Sequence, residues 1–343
     1  MSCVEWAAGP FGWDAAKGQT NVCQRTVLVV VHHVTAGTRL ADVVPMLESD
    51  RRVQVVFTWA PASVFSGGVA EFLARLGGVV LPWQQAAQVR FDLAVAASYG
   101  LLERLHAPVV TLSHGVGVGR YTSRWDGPGP RARREGAGAA RARLTYHGRV
   151  VPARIIVAAD RQLAALTRSC PEAAPVAVVA GDPCYDRLAA SLPSRARYRR
   201  ALGAQRTTLV AVTSTWGKGS LLQRHRDLLA RLAGDLPPER YRVAAIVHPN
   251  VWSWHGVRQV RAWYADGVRR GLILVPPEEG WRAVLAAADV AIGDHGSVTC
   301  YAASAGVPVL LACYPAGEAG PGSLVSVLAR TAPRLCPAQP VAP

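Results

Sequence analysis

Four clusters in this chain combine side chains able to move a proton or hold an anion with glycines that let a ligand approach the backbone. The fullest begins at Asp289-Val290-Ala291-Ile292-Gly293, opens into Asp294-His295-Gly296-Ser297, and passes Thr299 and small residues to reach Gly306-Val307-Pro308-Val309-Leu310-Leu311. Short, continuous apolar runs fit buried parallel strands, so the stretch reads as strand, loop, helix, strand. A helix beginning at Gly296-Ser297 presents first-turn N–H groups and the positive end of its dipole, which suit an anion such as a diphosphate. The alternative is an ordinary capped turn with a tightly packed helix.

The second cluster is His114. It follows the apolar run Ala107-Pro108-Val109-Val110-Thr111-Leu112 and precedes Gly115-Val116-Gly117-Val118-Gly119. An imidazole at a strand end, titrating near neutrality, suits removal of a proton from an attacking hydroxyl. His248 likewise closes the run Val243 to Val247 and is followed by Pro249-Asn250, a turn that aims its ring toward a phosphate or ties it to the backbone. Gly181-Asp182-Pro183-Cys184-Tyr185-Asp186 shapes a tight turn after another run, with Asp182 and Asp186 as ligand contacts or helix caps. Thr213-Ser214-Thr215-Trp216-Gly217-Lys218-Gly219 offers hydroxyls, glycines and a lysine but does not match G-x-x-x-x-G-K-[ST], which excludes a P-loop NTPase. No G-x-S-x-G is present, so the main hydrolase elbow is absent too. The pair His32-His33, followed by Thr35, Gly37, Thr38 and Arg39, lacks the carboxylate partners a metal site needs; no metal and no cofactor are expected.

Positioning these residues at strand ends requires a regular alternation, and the pattern supplies one. Strand-like runs at Thr26 to His32, Val53 to Thr58, Val79 to Leu81, Phe91 to Ala97, Pro108 to Leu112, Ala153 to Ala158 and Ala174 to Val179 are separated by helical stretches near Leu40 to Glu48, Val69 to Leu76 and Leu101 to Leu105. A second series runs through Thr208 to Val212, a helix over Leu221 to Leu232, Tyr241 to Val247, a helix over Val257 to Arg269, Leu272 to Val275, a helix over Glu279 to Ala288, and the final two strands. Such βαβ series predict parallel sheets with right-handed crossovers and ligands outside the carboxyl ends of the strands. The expected fold is α/β with two doubly wound domains, residues 1–190 and 191–343, whose sheets face across a cleft.

A chain of 343 residues, 50% hydrophobic, can bury two cores. No window approaches the roughly 20 apolar residues of a membrane span, and the N-terminus lacks a basic start with an apolar run; a cytoplasmic location is expected. The seven cysteines are scattered without a C-x-x-C pair, so neither a disulfide framework nor a zinc knuckle is indicated. The formal charge of +15 rests on arginine, with lysine only at Lys17 and Lys218. That bias, with abundant Ala and Val, reflects coding composition and gives no reason to expect a specific nucleic-acid partner. The densest cluster, Arg131 to Arg134 with Arg141 and Arg143, is either a solvated loop or a basic flap for an anionic acceptor or anionic membrane headgroups, alternatives that salt screening separates.

Taken in order, the clusters resemble the CDP-glycerol glycerophosphotransferase family, of the GT-B superfamily of two facing Rossmann-like domains. The resemblance rests on His114-Gly115, on Gly181-Asp182-Pro183 with Asp186, on Thr215-Trp216, on His248-Pro249, and on Asp289, Asp294 and Ser297, between about Val109 and Leu311. It implies an acceptor-side N-terminal domain and a donor-side C-terminal domain, in a transferase moving a glycosyl or glycerophosphate group from a nucleotide-diphosphate-activated donor to a hydroxyl acceptor. His114, His248 and Asp294 would be catalytic; Gly181, Asp186, Thr215, Trp216, Gly296, Ser297 and Thr299 would bind the donor. Cys184 and Gly217 stand where the family carries arginine, and His295-Gly296 replaces Tyr-Ser. His248-Pro249-Asn250 and Gly37-Thr38-Arg39 also resemble non-hydrolysing UDP-N-acetylglucosamine 2-epimerases, although no Glu-Glu pair appears on the helix that follows Asp294-His295-Gly296-Ser297. A catalytically degenerate nucleotide-binding protein is the third reading.

Overall fold

The apolar runs form two all-parallel sheets. In a computed structural model, the described residues are 6–12, 15–116, 121–122, 135–136, 141–314 and 323–336; the Arg131 to Arg134 cluster lies outside them. Their contacts divide the chain into one unit of Met1–Val118 with Glu135–Pro183 and a second of Gly119–Arg134 with Cys184–Pro343.

The first sheet comprises β1 (Arg25–Val31), β2 (Val53–Trp59), β3 (Val80–Leu81), β4 (Leu93–Ala96), β5 (Val109–Leu112), β6 (Arg154–Val157) and β7 (Ala177–Val179), in the order β7-β6-β5-β4-β1-β2-β3. Continuous burial along β1 reflects cover on both faces: Val27, Val29 and Val31 pack with Leu40, Phe72 and Leu73, whereas Leu28 and Val30 pack with Trp83, Phe91 and Val109. The helices on the first face are α1 (Val34–Leu40), α2 (Val44–Glu48) and α3 (Val69–Leu76). The single helix expected near Leu40 to Glu48 is therefore two, with Pro45 in the first turn of α2, where its missing N–H costs nothing.

In the second unit α4 (Pro183–Ser191) and α5 (Arg195–Ala201) precede the sheet of β8 (Thr208–Ser214), β9 (Tyr241–Val247), β10 (Ile273–Leu274), β11 (Val290–Gly293) and β12 (Val309–Leu311), ordered β10-β9-β8-β11-β12. Its helices include α6 (Leu221–Arg224), α7 (Leu228–Asp235), α8 (Pro249–His255), α9 (Val257–Trp263), α10 (Ala265–Arg269), α11 (Trp281–Ala287), α12 (Ser297–Ser304) and α13 (Leu324–Thr331). The helix expected over Leu221 to Leu232 is interrupted after Arg224, and the one over Val257 to Arg269 breaks at Tyr264. Asp289 clamps α5 to the head of β11, accepting from Arg195 at 2.6 Å, Arg199 at 2.8 Å and the Leu209 N–H at 2.8 Å. Each sheet reverses its strand order once, between β1 and β4 and between β8 and β11. At such a switch point the following loops diverge and leave room for a ligand. Cys170, Cys184, Cys300 and Cys313 are buried and unbridged, as small apolar side chains are.

Candidate functional site

Both switch points carry the polar clusters. In the second unit the loops after β8 and β11 are tied together by Asp294, whose side chain is fully buried (0%). One carboxylate oxygen accepts the N–H of Thr215 at 2.9 Å and of Leu221 at 2.8 Å; the other accepts the N–H of Gly296 at 2.9 Å. A buried carboxylate is tolerated because these donors replace its hydration. Glycine suits the close approach at position 296: a Cβ there would lie 3.2 Å from the Thr215 Cβ and 3.0 Å from an Asp294 oxygen, tighter than ordinary contact. Beneath the loops, Thr213 and Thr299 share a buried hydrogen bond of 2.7 Å, and Gly293 leaves space for it.

These bonds bear on the expected roles of four residues. Asp294 has no exposed surface, and its carboxylate ties the loops together. Thr299 is equally buried and spends its hydroxyl on Thr213, and the Thr215 N–H points inward to Asp294. The Gly296 amide, expected to meet an anion, is committed to the same carboxylate. The following first-turn amides of α12 have no acceptor within the helix.

His248 caps α8. Its Nδ1 accepts the Asn250 N–H at 3.1 Å, so in the neutral imidazole Nε2 carries the proton. Its own N–H donates to the Ser214 carbonyl at 3.1 Å, fixing it beside β8, and the Trp216 ring stands 6.5 Å from the imidazole. The structure thus brings His248, Trp216, Gly296 and Ser297 to one switch point. Gly181, with φ of 85°, makes the turn before α4, and Asp186 is exposed in the first turn of that helix. The neighbouring Tyr185 hydroxyl donates to the Ser304 carbonyl at 3.1 Å, at the end of α12 remote from Ser297, roughly 12 Å along an eight-residue helix.

In the first unit His114 lies two residues past β5. Its Nδ1 is 2.7 Å from the Ala97 carbonyl, an acceptor only, so Nδ1 holds the proton and Nε2 presents a lone pair. The residue is exposed, yet protein crowds the ring: lost hydration is the largest influence lowering its pKa, opposed by the Ala97 bond and reinforced by Arg39 and Arg143. The ring is thereby kept neutral, the state a general base requires. His33 meets it edge-on, ring centres 4.9 Å apart, and caps α1 by accepting the Ala36 N–H at 3.1 Å. His32 is buried and donates Nε2–H to the Gly100 carbonyl at 2.7 Å across the switch point. Among the described residues no group of three or more His, Cys, Asp or Glu could hold a metal ion. Sequence reasoning missed Arg39 and the Ala97 carbonyl as partners of His114; contacts so distant along the chain leave no local signal.

No protein-family model matches the chain, and no curated protein matches it. Solved structures do. A CDPG-soaked variant of the wall teichoic acid polymerase TagF aligns with TM-score 0.53 at 12% identity, over 87% of this chain and 72% of that one. A co-structure of S. aureus MnaA with UDP aligns with TM-score 0.53 at 12% identity, over 84% and 79%. Anabaena HepE, in complex with UDP and glucose, aligns with TM-score 0.48 at 14% identity, over 84% and 80%. At such identities the first two likenesses concern fold, and with the two parallel sheets they give the chain a GT-B-type α/β fold.

Proposed function

We propose that this chain is a transferase that moves a glycosyl or glycerophosphate group from a nucleotide-diphosphate-activated donor to a hydroxyl acceptor. The observation that carries the reading is the 2.7 Å bond from His114 Nδ1 to the Ala97 carbonyl, which fixes the tautomer with a proton-accepting Nε2 on an exposed residue. In the proposed reaction His114 takes the proton of the acceptor hydroxyl, the oxygen attacks the activated centre, and the nucleotide leaves with the bonding electrons. No covalent intermediate is needed. His248 Nε2–H and the first-turn amides of α12 stabilise charge on the departing phosphate, each well-placed donor contributing a few kcal/mol at about the scale of an oxyanion-hole donor. Asp294 positions that machinery. We assign the acceptor to residues 1–190 and the donor to residues 191–343, and by the family resemblance a CDP-alditol is the first donor to try. The CDPG of the TagF structure and the UDP of the MnaA structure support a nucleotide ligand on this fold.

The epimerase alternative draws on the same His248-Pro249-Asn250 segment and would show as proton exchange at a sugar carbon without an acceptor. The test of the transferase is His114→Asn, in which the Asn amide keeps the donor to Ala97 but cannot take a proton. Transfer is expected to fall by two to four orders of magnitude, about the contribution of general-base catalysis, with nucleotide affinity unchanged. Loss of both together would make His114 a structural residue and overturn the assignment.

A further inference from the structure

The guanidinium of Arg39 is buried, 6% exposed. From α1 it reaches across the sheet end to the loop after β5, where Nε donates to the His114 carbonyl at 3.3 Å. Asp42, with a side chain only 1% exposed, lies one turn further on, 3.9 Å from the Arg39 Nη1. A buried cation persists only when paired and hydrogen-bonded; this one is ion-paired with the Asp42 carboxylate and donates its Nε–H to the backbone of the base.

We propose that Arg39 is a positioning residue for His114, holding the histidine's main chain while Ala97 holds its ring, with Asp42 holding the guanidinium. The two anchors act from different elements, so together they restrict both the backbone and the side-chain torsions of the base. A fixed positive charge at that distance also opposes protonation of the imidazole. Among the described residues, the charged and titratable groups around His114 are Arg39 and His33 from α1 and its cap, His32 just after β1, and Arg143 from the helical turn Arg141–Leu144.

This inference rests on the reading of His114 as the base, and its test requires neither donor nor acceptor. Full-length protein with isotopically labelled histidine is titrated by NMR, His114 being assigned from the His114→Asn variant. Arg39→Met removes the cation, and the His114 pKa is expected to rise. Asp42→Asn leaves the cation less compensated, and the pKa is expected to fall. General loosening of the region would instead move both toward the ordinary value, upward. Shifts of opposite sign support the proposal; two rises, or no shift in either, overturn it. If Arg39→Met does not fold, the near-isosteric Asp42→Asn decides alone: a fall supports, and a rise or no change overturns. Failure here leaves nucleotide binding by the second unit unaffected, so the two readings are separable.

Discussion

His32 shows how much one ring can reveal about the first unit. Burial is the largest influence holding its imidazole below the ordinary value, outweighing the bond to Gly100, with the His114 charge adding to burial. A histidine with a depressed folded pKa stabilises the protein fully above the unfolded value, about 6.5, and loses that contribution as pH falls from there through the folded value. Acidification from about pH 7.5 to about pH 5 should therefore lower stability in urea titrations. His32→Gln, which keeps a donor for the Gly100 carbonyl but cannot charge, should flatten part of the dependence, His114 supplying the rest in the same direction. An unchanged pH profile in that variant would show that His32 is not protonated on unfolding in this range.

At the level of elements, the second unit depends on one carboxylate joining the β8 and β11 loops. Asp294→Asn turns an amide toward backbone donors and leaves at least one of them without an acceptor, so unfolding free energy should fall by about 2–3 kcal/mol. Amide exchange at Thr215, Leu221 and Gly296 should accelerate while exchange along the core of β8 does not; uniform acceleration would make Asp294 a global support instead of a loop tie. The elements themselves were largely legible: strands such as Val53–Trp59 and Tyr241–Val247 are predominantly apolar, with four and five consecutive buried residues. Helix interruptions were less so: neither glycine nor proline stands at Tyr264, where the helix breaks. The role of Asp294 was illegible for a related reason. Its three backbone partners lie 79, 73 and 2 residues away, and only the sheet order makes the distant ones neighbours. The sequence pointed the Gly296 amide outward, whereas the folded loop turns it in.

For the molecule as a whole, both sheets repeat one topology and each gathers its polar residues where strand order reverses. The second unit supplies a cap histidine, first-turn amides and an exposed Trp216; the first supplies a neutral imidazole with a committed tautomer. The most direct test is calorimetry of CDP, UDP and GDP against the full-length protein at fixed ionic strength. Binding of at least one, with a Kd of about 1 µM to 1 mM, weakened at least tenfold by His248→Ala and unaltered by His114→Asn, is the expected result. Absence of heat with all three nucleotides, at concentrations well above that range, would contradict a nucleotide-dependent transferase.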